Sequence, residues 1–167
     1  GFTPGGTFSS TPGLSVNAST GFINVAGSTP GTYVITYTIA AVGCQLAGSN
    51  TASMTISSTI TPVTAFSYAT PVCSNAGNQL PTLGRGFTTG GTCSSSAGLS
   101  INAGTGDINV GASTPGSYTV TYNIPASGCQ LAGSNTANIN INPTITPVTG
   151  FSYTSPVCSN AGNQSPI

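Results

Sequence analysis

The chain repeats itself at a fixed offset of 85 residues, and a repeat of that length leaves few architectures open. Gly13-Leu14-Ser15 returns as Gly98-Leu99-Ser100, Gly43 to Asn50 returns as Gly128 to Asn135, and Pro71 to Gln79 returns as Pro156 to Gln164. Laid over residues 86–167, residues 1–82 align without a gap and match at 57 of 82 positions. The unit is long for a solenoid repeat and short for a large domain; it suits one small β-sandwich.

Two full units would fill 170 residues, three more than the 167 of this chain. Ile167 corresponds to Thr82, and Gly86 corresponds to Gly1. The chain reads as processed or cropped, since it begins without Met or a charged, apolar leader. The spacing predicts a partial module over 1–58 that lacks its first strands, a complete module over 59–143, and the opening strands of a further module over 144–167. Either one copy runs covalently into the next, or residues from about 147 onward insert as a strand into the incomplete module of a neighbour.

Every segment reads as strand or turn, and none as helix. Tyr118, Val120, Tyr122 and Ile124 alternate with Thr119, Thr121 and Asn123, the period-2 pattern of a half-buried strand. Tyr33, Ile35, Tyr37 and Ile39 repeat it one unit earlier. Ala137, Ile139 and Ile141 alternate with Asn138, Asn140 and Asn142, giving a strand with an amide-coated outer face. Leu99 and Ile101, then Ile108 and Val110, flank a hairpin loop at 102–106. A further strand covers Thr64 to Thr70, with Phe66 and Tyr68 on one face. Thr29-Pro30-Gly31 and Thr114-Pro115-Gly116 carry the residue types of a type II turn. About seven short strands per unit point to an all-β chain of tandem immunoglobulin-like β-sandwich modules.

Composition then narrows function. The chain has one basic residue, Arg85, one acidic residue, Asp107, and no His. General acid–base catalysis, paired carboxylates, Ca²⁺ or two-metal sites and His/Cys zinc sites all need more than this. No enzyme activity, cofactor or metal is expected. A single cation at zero net charge also excludes electrostatic binding to nucleic acid or anionic membranes. Disorder is excluded by the 37% of apolar residues and the positive mean hydropathy. The longest apolar runs, such as Ile39 to Val42, are too short to span a bilayer. Solubility has to come from neutral hydroxyls and amides.

The ordered series Phe-Ser-Tyr, Pro-Val-Cys, Gly-Gly-Thr, Gly-Leu-Ser-Ile-Asn-Ala, Thr-Gly-x-Ile-Asn-Val, Ser-Thr-Pro-Gly-x-Tyr, Val-Thr-Tyr and Gly-Cys resembles the Ig-like repeats of very large Bacteroidota surface proteins. Those include gliding-motility adhesins and related proteins exported by the type IX pathway. The resemblance covers essentially the whole chain and implies a β-sandwich, an extracellular address, and a role as fibre, stalk or adhesin.

Five cysteines fit an oxidising, extracellular setting. Cys44 is equivalent to Cys129 and Cys73 to Cys158, while Cys93 stands where the first unit has Phe8. Two pairings respect the repeat. Cys73 with Cys129 closes a loop within the complete module and leaves Cys44 and Cys158 to partners in adjacent copies. Cys44 with Cys73 and Cys129 with Cys158 links consecutive modules. The family's Pro-x-Cys and Gly-Cys motifs sit near the two ends of one module, so the resemblance implies the first, adding about 4 kcal/mol by restricting the unfolded chain. The Phe8 counterpart marks Cys93 as a buried free thiol.

Tyr33, Tyr37, Tyr118 and Tyr122 share strand faces with Ile and Val, so they read as core rather than as a sugar-stacking platform. Asn17-Ala18-Ser19 and Asn163-Gln164-Ser165 fit the N-glycosylation pattern, which chance supplies readily in so polar a chain. Arg85 and Asp107 read as separate solvated charges. The expectation is the shaft of an extracellular filament or surface adhesin, with copies of itself as partners and short linkers such as Ser58 to Val63 limiting bending. The alternative is a polysaccharide-binding module that contacts surface glycans.

Overall fold

The computed structural model describes residues 3–167; Gly1 and Phe2, which open the partial module, lie outside them. The chain is all-β. Its strands are β1 (Thr7–Ser10), β2 (Gly31–Ile39), β3 (Gly48–Ile56), β4 (Phe66–Ser67), β5 (Val72–Cys73), β6 (Thr82–Leu83), β7 (Thr92–Ser95), β8 (Gly116–Ile124) and β9 (Gly133–Asn142). Two compact units result, one from residues up to Pro62 with Ile124–Gly133, the other from Val63–Asn123 with Ser134–Ile167.

In the first unit β1, β2 and β3 form an antiparallel sheet in that order, with Thr7 opposite Thr38 and Gly31 opposite Ile56. The alternation of Tyr33, Ile35, Tyr37 and Ile39 sets this register, because a slip of one residue would turn the whole apolar set outward. In the second sheet β7, β8 and β9 repeat the arrangement, with Thr92 opposite Asn123, the β1–β2 register moved by 85. Three strands there have no counterpart in the first sheet. β5 runs parallel to β9, with Val72 opposite Ile141, and extends the order to β5-β9-β8-β7. β4 pairs antiparallel with β6 as a separate two-stranded sheet.

Several local expectations are corrected. Gly31 and Gly116 do not take positive φ and instead begin β2 and β8, so Thr-Pro-Gly is not a type II turn. Positive φ falls on Gly13 and Gly98, and a Cβ on Gly98 would meet the Tyr118 hydroxyl at 2.8 Å and the Thr114 hydroxyl at 2.7 Å. Folding the tyrosine back onto the turn, not the turn type, is what requires glycine there. The hairpin loop at 102–106 is present, closed by an antiparallel bridge between Ile101 and Ile108, and Val110–Ala112 then makes a single 3₁₀ turn capped by Asn109. Asn102 Oδ1 accepts from Gly104 and Thr105 N–H within the loop, and Asn109 Oδ1 accepts from Ala112 N–H. The strand placed over 64–70 shrinks to Phe66–Ser67, with Pro71 close behind it.

The second unit's core is Ile108, Val110, Val120, Ile139 and Ile141, all below 2% exposure. Burying each such side chain contributes about 1.5–3 kcal/mol. Among the described residues the first unit's core holds Leu14, Tyr33 and Ile56, with Val16, Ile23, Ile35 and Met54 half-buried against them.

Candidate functional site

The difference between the two cores falls along one face. Val25 is 52% exposed where its equivalent Val110 is fully buried, and Ile23, Ile35, Ile39 and Met54 are half-open where Ile108, Val120, Ile124 and Ile139 are buried. What covers this face in the second unit is residues 60–83. Tyr68, at 7% exposure, donates its hydroxyl proton to the Gly106 carbonyl at 2.6 Å. Phe66 stands edge-on to Tyr122, with ring centroids 6.3 Å apart. Gln79 and Ile108 exchange both backbone hydrogen bonds at 2.9 Å. Along the outer edge of β9 the Thr70 hydroxyl accepts from Asn140 N–H at 2.9 Å, and Ser74 N–H donates to the Asn142 carbonyl at 2.8 Å. In the first unit β3 is the last strand of its sheet, and the Ile23 N–H and C=O have no backbone partner among the described residues.

The segment 144–167 is equivalent by sequence to residues 59–82, and it is exposed throughout. Its apolar residues include Phe151 at 70% and Tyr153 at 54% exposure. It already holds the local shape of its counterpart. Phe151 and Tyr153 stack edge-to-face at 5.9 Å and 89°, against 5.9 Å and 88° for Phe66 and Tyr68. Ser152 and Ile167 exchange backbone hydrogen bonds at the positions of the β4–β6 pair, and Ala161 N–H bonds the Cys158 carbonyl as Ala76 N–H bonds that of Cys73.

The four strand tyrosines point inward and are tied down. Tyr122 Oη donates to the Thr88 carbonyl at 2.7 Å and accepts from Gly91 N–H at 2.8 Å; Tyr37 repeats this with Thr3 and Gly6. Tyr118 Oη donates to the Thr114 carbonyl at 2.8 Å, and Tyr33 does the same with Thr29. Tyr33, Tyr118 and Tyr122 are buried as well, while Tyr37 is half-buried against Phe8. The amide face of β9 is engaged within its own sheet, since Thr119 donates to Asn138 Oδ1 at 2.8 Å and Ser117 to Asn140 Oδ1 at 3.2 Å. These groups line a shallow polar trough with Thr70.

All five cysteines are free, Cys93 buried and Cys44, Cys73, Cys129 and Cys158 exposed. The Cys73–Cys129 bridge is not formed. Cys73 lies opposite Asn142, the last residue of β9, whereas Cys129 precedes the first, and a disulfide needs Cα atoms within about 7 Å. Two cysteine motifs at the two ends of a module are separated by the strand between them. Desolvation pushes the Cys93 thiol up, and burial, then Cys93 and Asp107 nearby, push the Tyr68 phenol up. Both groups are held neutral. Among the described residues no three His, Cys, Asp or Glu side chains gather, and no helix is long and apolar enough to cross a membrane.

The anchoring roles of Thr70, Gly106 and Gln79 escape the sequence, because a threonine or glutamine in a turn-rich stretch carries no periodic signal. No protein-family model matches the chain, and no curated protein does.

Proposed function

We propose that the chain is a shaft element of an extracellular filament or surface adhesin, built from tandem immunoglobulin-like modules and working mechanically rather than catalytically. The observation that carries this is one strand arrangement returning 85 residues later, with β1 on β2 and β7 on β8 in the same register. The order β5-β9-β8-β7, with β5 parallel to β9, and the separate β4–β6 pair support the immunoglobulin-like reading.

Near-zero charge fits a repeated shaft, since any net charge is multiplied by the number of copies and drives them apart. The resemblance to Bacteroidota surface repeats supports the extracellular address. The polysaccharide-binding alternative is weakened by the engaged tyrosines: Tyr118, the aromatic residue that borders the trough beside Thr70, is only 8% exposed. Immunogold labelling of intact source cells with antibody to this chain tests the proposal: gold along surface fibres is expected, and label confined to the cell interior would overturn it.

A further inference from the structure

The second unit leaves an apolar cavity beside Cys93, and we infer that it binds a small, uncharged aromatic ligand. The site lies wholly within that unit and is independent of the shaft reading. The cavity holds about 250 Å³ and is walled by Phe66, Phe87 and Tyr122, with Pro81, Leu83 and Cys93 beside them. Close-packed interiors keep few voids larger than a water molecule, and an apolar cavity of about 150 Å³ suffices for benzene. No charged side chain lines this one among the described residues. Thr89 and Thr105, both exposed, supply the hydroxyl-bearing part of the lining, suited to one polar substituent on the ring.

The repeat identifies the occupant as a ring. Phe8 and Tyr37 lie opposite one another on β1 and β2, and their rings pack with centroids 4.6 Å apart. Cys93 and Tyr122 lie opposite one another on β7 and β8 in the same register, so the ring that Phe8 brings to Tyr37 has no counterpart on Cys93. Two other lining positions change with it. Gly104 stands where the first unit has Ser19, which removes a side chain, and Thr89 stands where it has Pro4, which adds a hydroxyl. The space over Gly106 is taken by Tyr68 Oη and Pro81, so a ring beside Cys93 has the cavity to occupy. The walls suit it: Phe87 packs tilted on Tyr122 at 4.8 Å and Phe66 stands edge-on to it at 6.3 Å, the spacings at which a further ring joins an aromatic cluster.

Amide NMR titration of the 167-residue chain with p-cresol tests the site, with glucose as a polar comparator and benzoate as a charged one. p-Cresol is expected to saturate with a Kd of about 1 mM or tighter and to shift the amides of Gly90, Cys93, Gly104 and Thr105. Glucose and benzoate should bind there at least about tenfold more weakly. In Cys93→Phe the protein supplies the ring itself, as the first unit does with Phe8, and p-cresol binding should fall by at least about tenfold. A p-cresol titration that fails to saturate below about 10 mM, or one that saturates while shifting only amides elsewhere, would overturn the proposal. Both are read on the parent chain, whatever the variant's folding. Cys93→Phe binding as tightly as the parent, or glucose binding at these amides as tightly as p-cresol, would overturn it as well.

Discussion

Ile23 and Ile108 occupy the same repeat position in two surroundings, one face open and the other closed, and replacing each by Ala measures the difference. Ile108 is fully buried. Truncation removes three carbons, about 2.4 kcal/mol at 0.8 per CH₂, plus a cavity term, for about 2–5 kcal/mol in all. Ile23 is half-buried on the open face. Roughly half the transfer term is lost and solvent fills the gap, so Ile23→Ala should cost about 1 kcal/mol. The two units need not unfold together, so each cost is best read from amide hydrogen exchange, using the slowest amides of β2 for Ile23 and of β8 for Ile108. Equal costs would refute the claim that the packing over Ile108 has no equivalent over Ile23 in this chain.

Other consequences follow from the same geometry. Tyr68→Phe removes the hydroxyl that satisfies the Gly106 carbonyl and should destabilise the second unit by about 1–3 kcal/mol in a urea titration. Thiol titration with a soluble disulfide reagent should modify Cys44, Cys73, Cys129 and Cys158 rapidly and Cys93 only on unfolding. Since burial raises the Cys93 thiol, the stability it contributes is complete below the ordinary thiol range, about 8.5, and is lost as pH climbs toward the raised value. Cys93→Ala should flatten that part of the alkaline decline in second-unit stability, leaving the part due to Tyr68. Asn138→Asp with Asn140→Asp keeps the acceptors of Thr119 and Ser117 but places like charges on every copy, and should narrow filament bundles seen by electron microscopy while single shafts persist. Assembly should change by less than about twofold between low and high salt, because no charged pair drives it.

The parts of the fold that sequence reveals are those where an alternating pattern runs long enough to be counted. Tyr118 to Ile124 and Ala137 to Asn142 alternate over six or more residues and fall within β8 and β9. β4, β5 and β6 span two residues each, too short for any period, and tertiary contacts decide them. The offset alone implied that β7 and β8 repeat the register of β1 and β2. It could not identify Tyr68 as an anchor, because that role depends on Gly106 sitting opposite it in the folded second unit. Thr-Pro-Gly misled for a related reason: its glycine opens a strand, and the glycine that makes room for the tyrosine ring is Gly13 or Gly98, which local turn statistics do not contain. The cysteine pairing failed because motif positions at module ends say nothing of the strand between them.

The shaft reading is tested most directly by electron microscopy of surface fibres detached from source cells and labelled with antibody to this chain. Label recurring along each fibre is expected; fibres that carry none of it would contradict the reading.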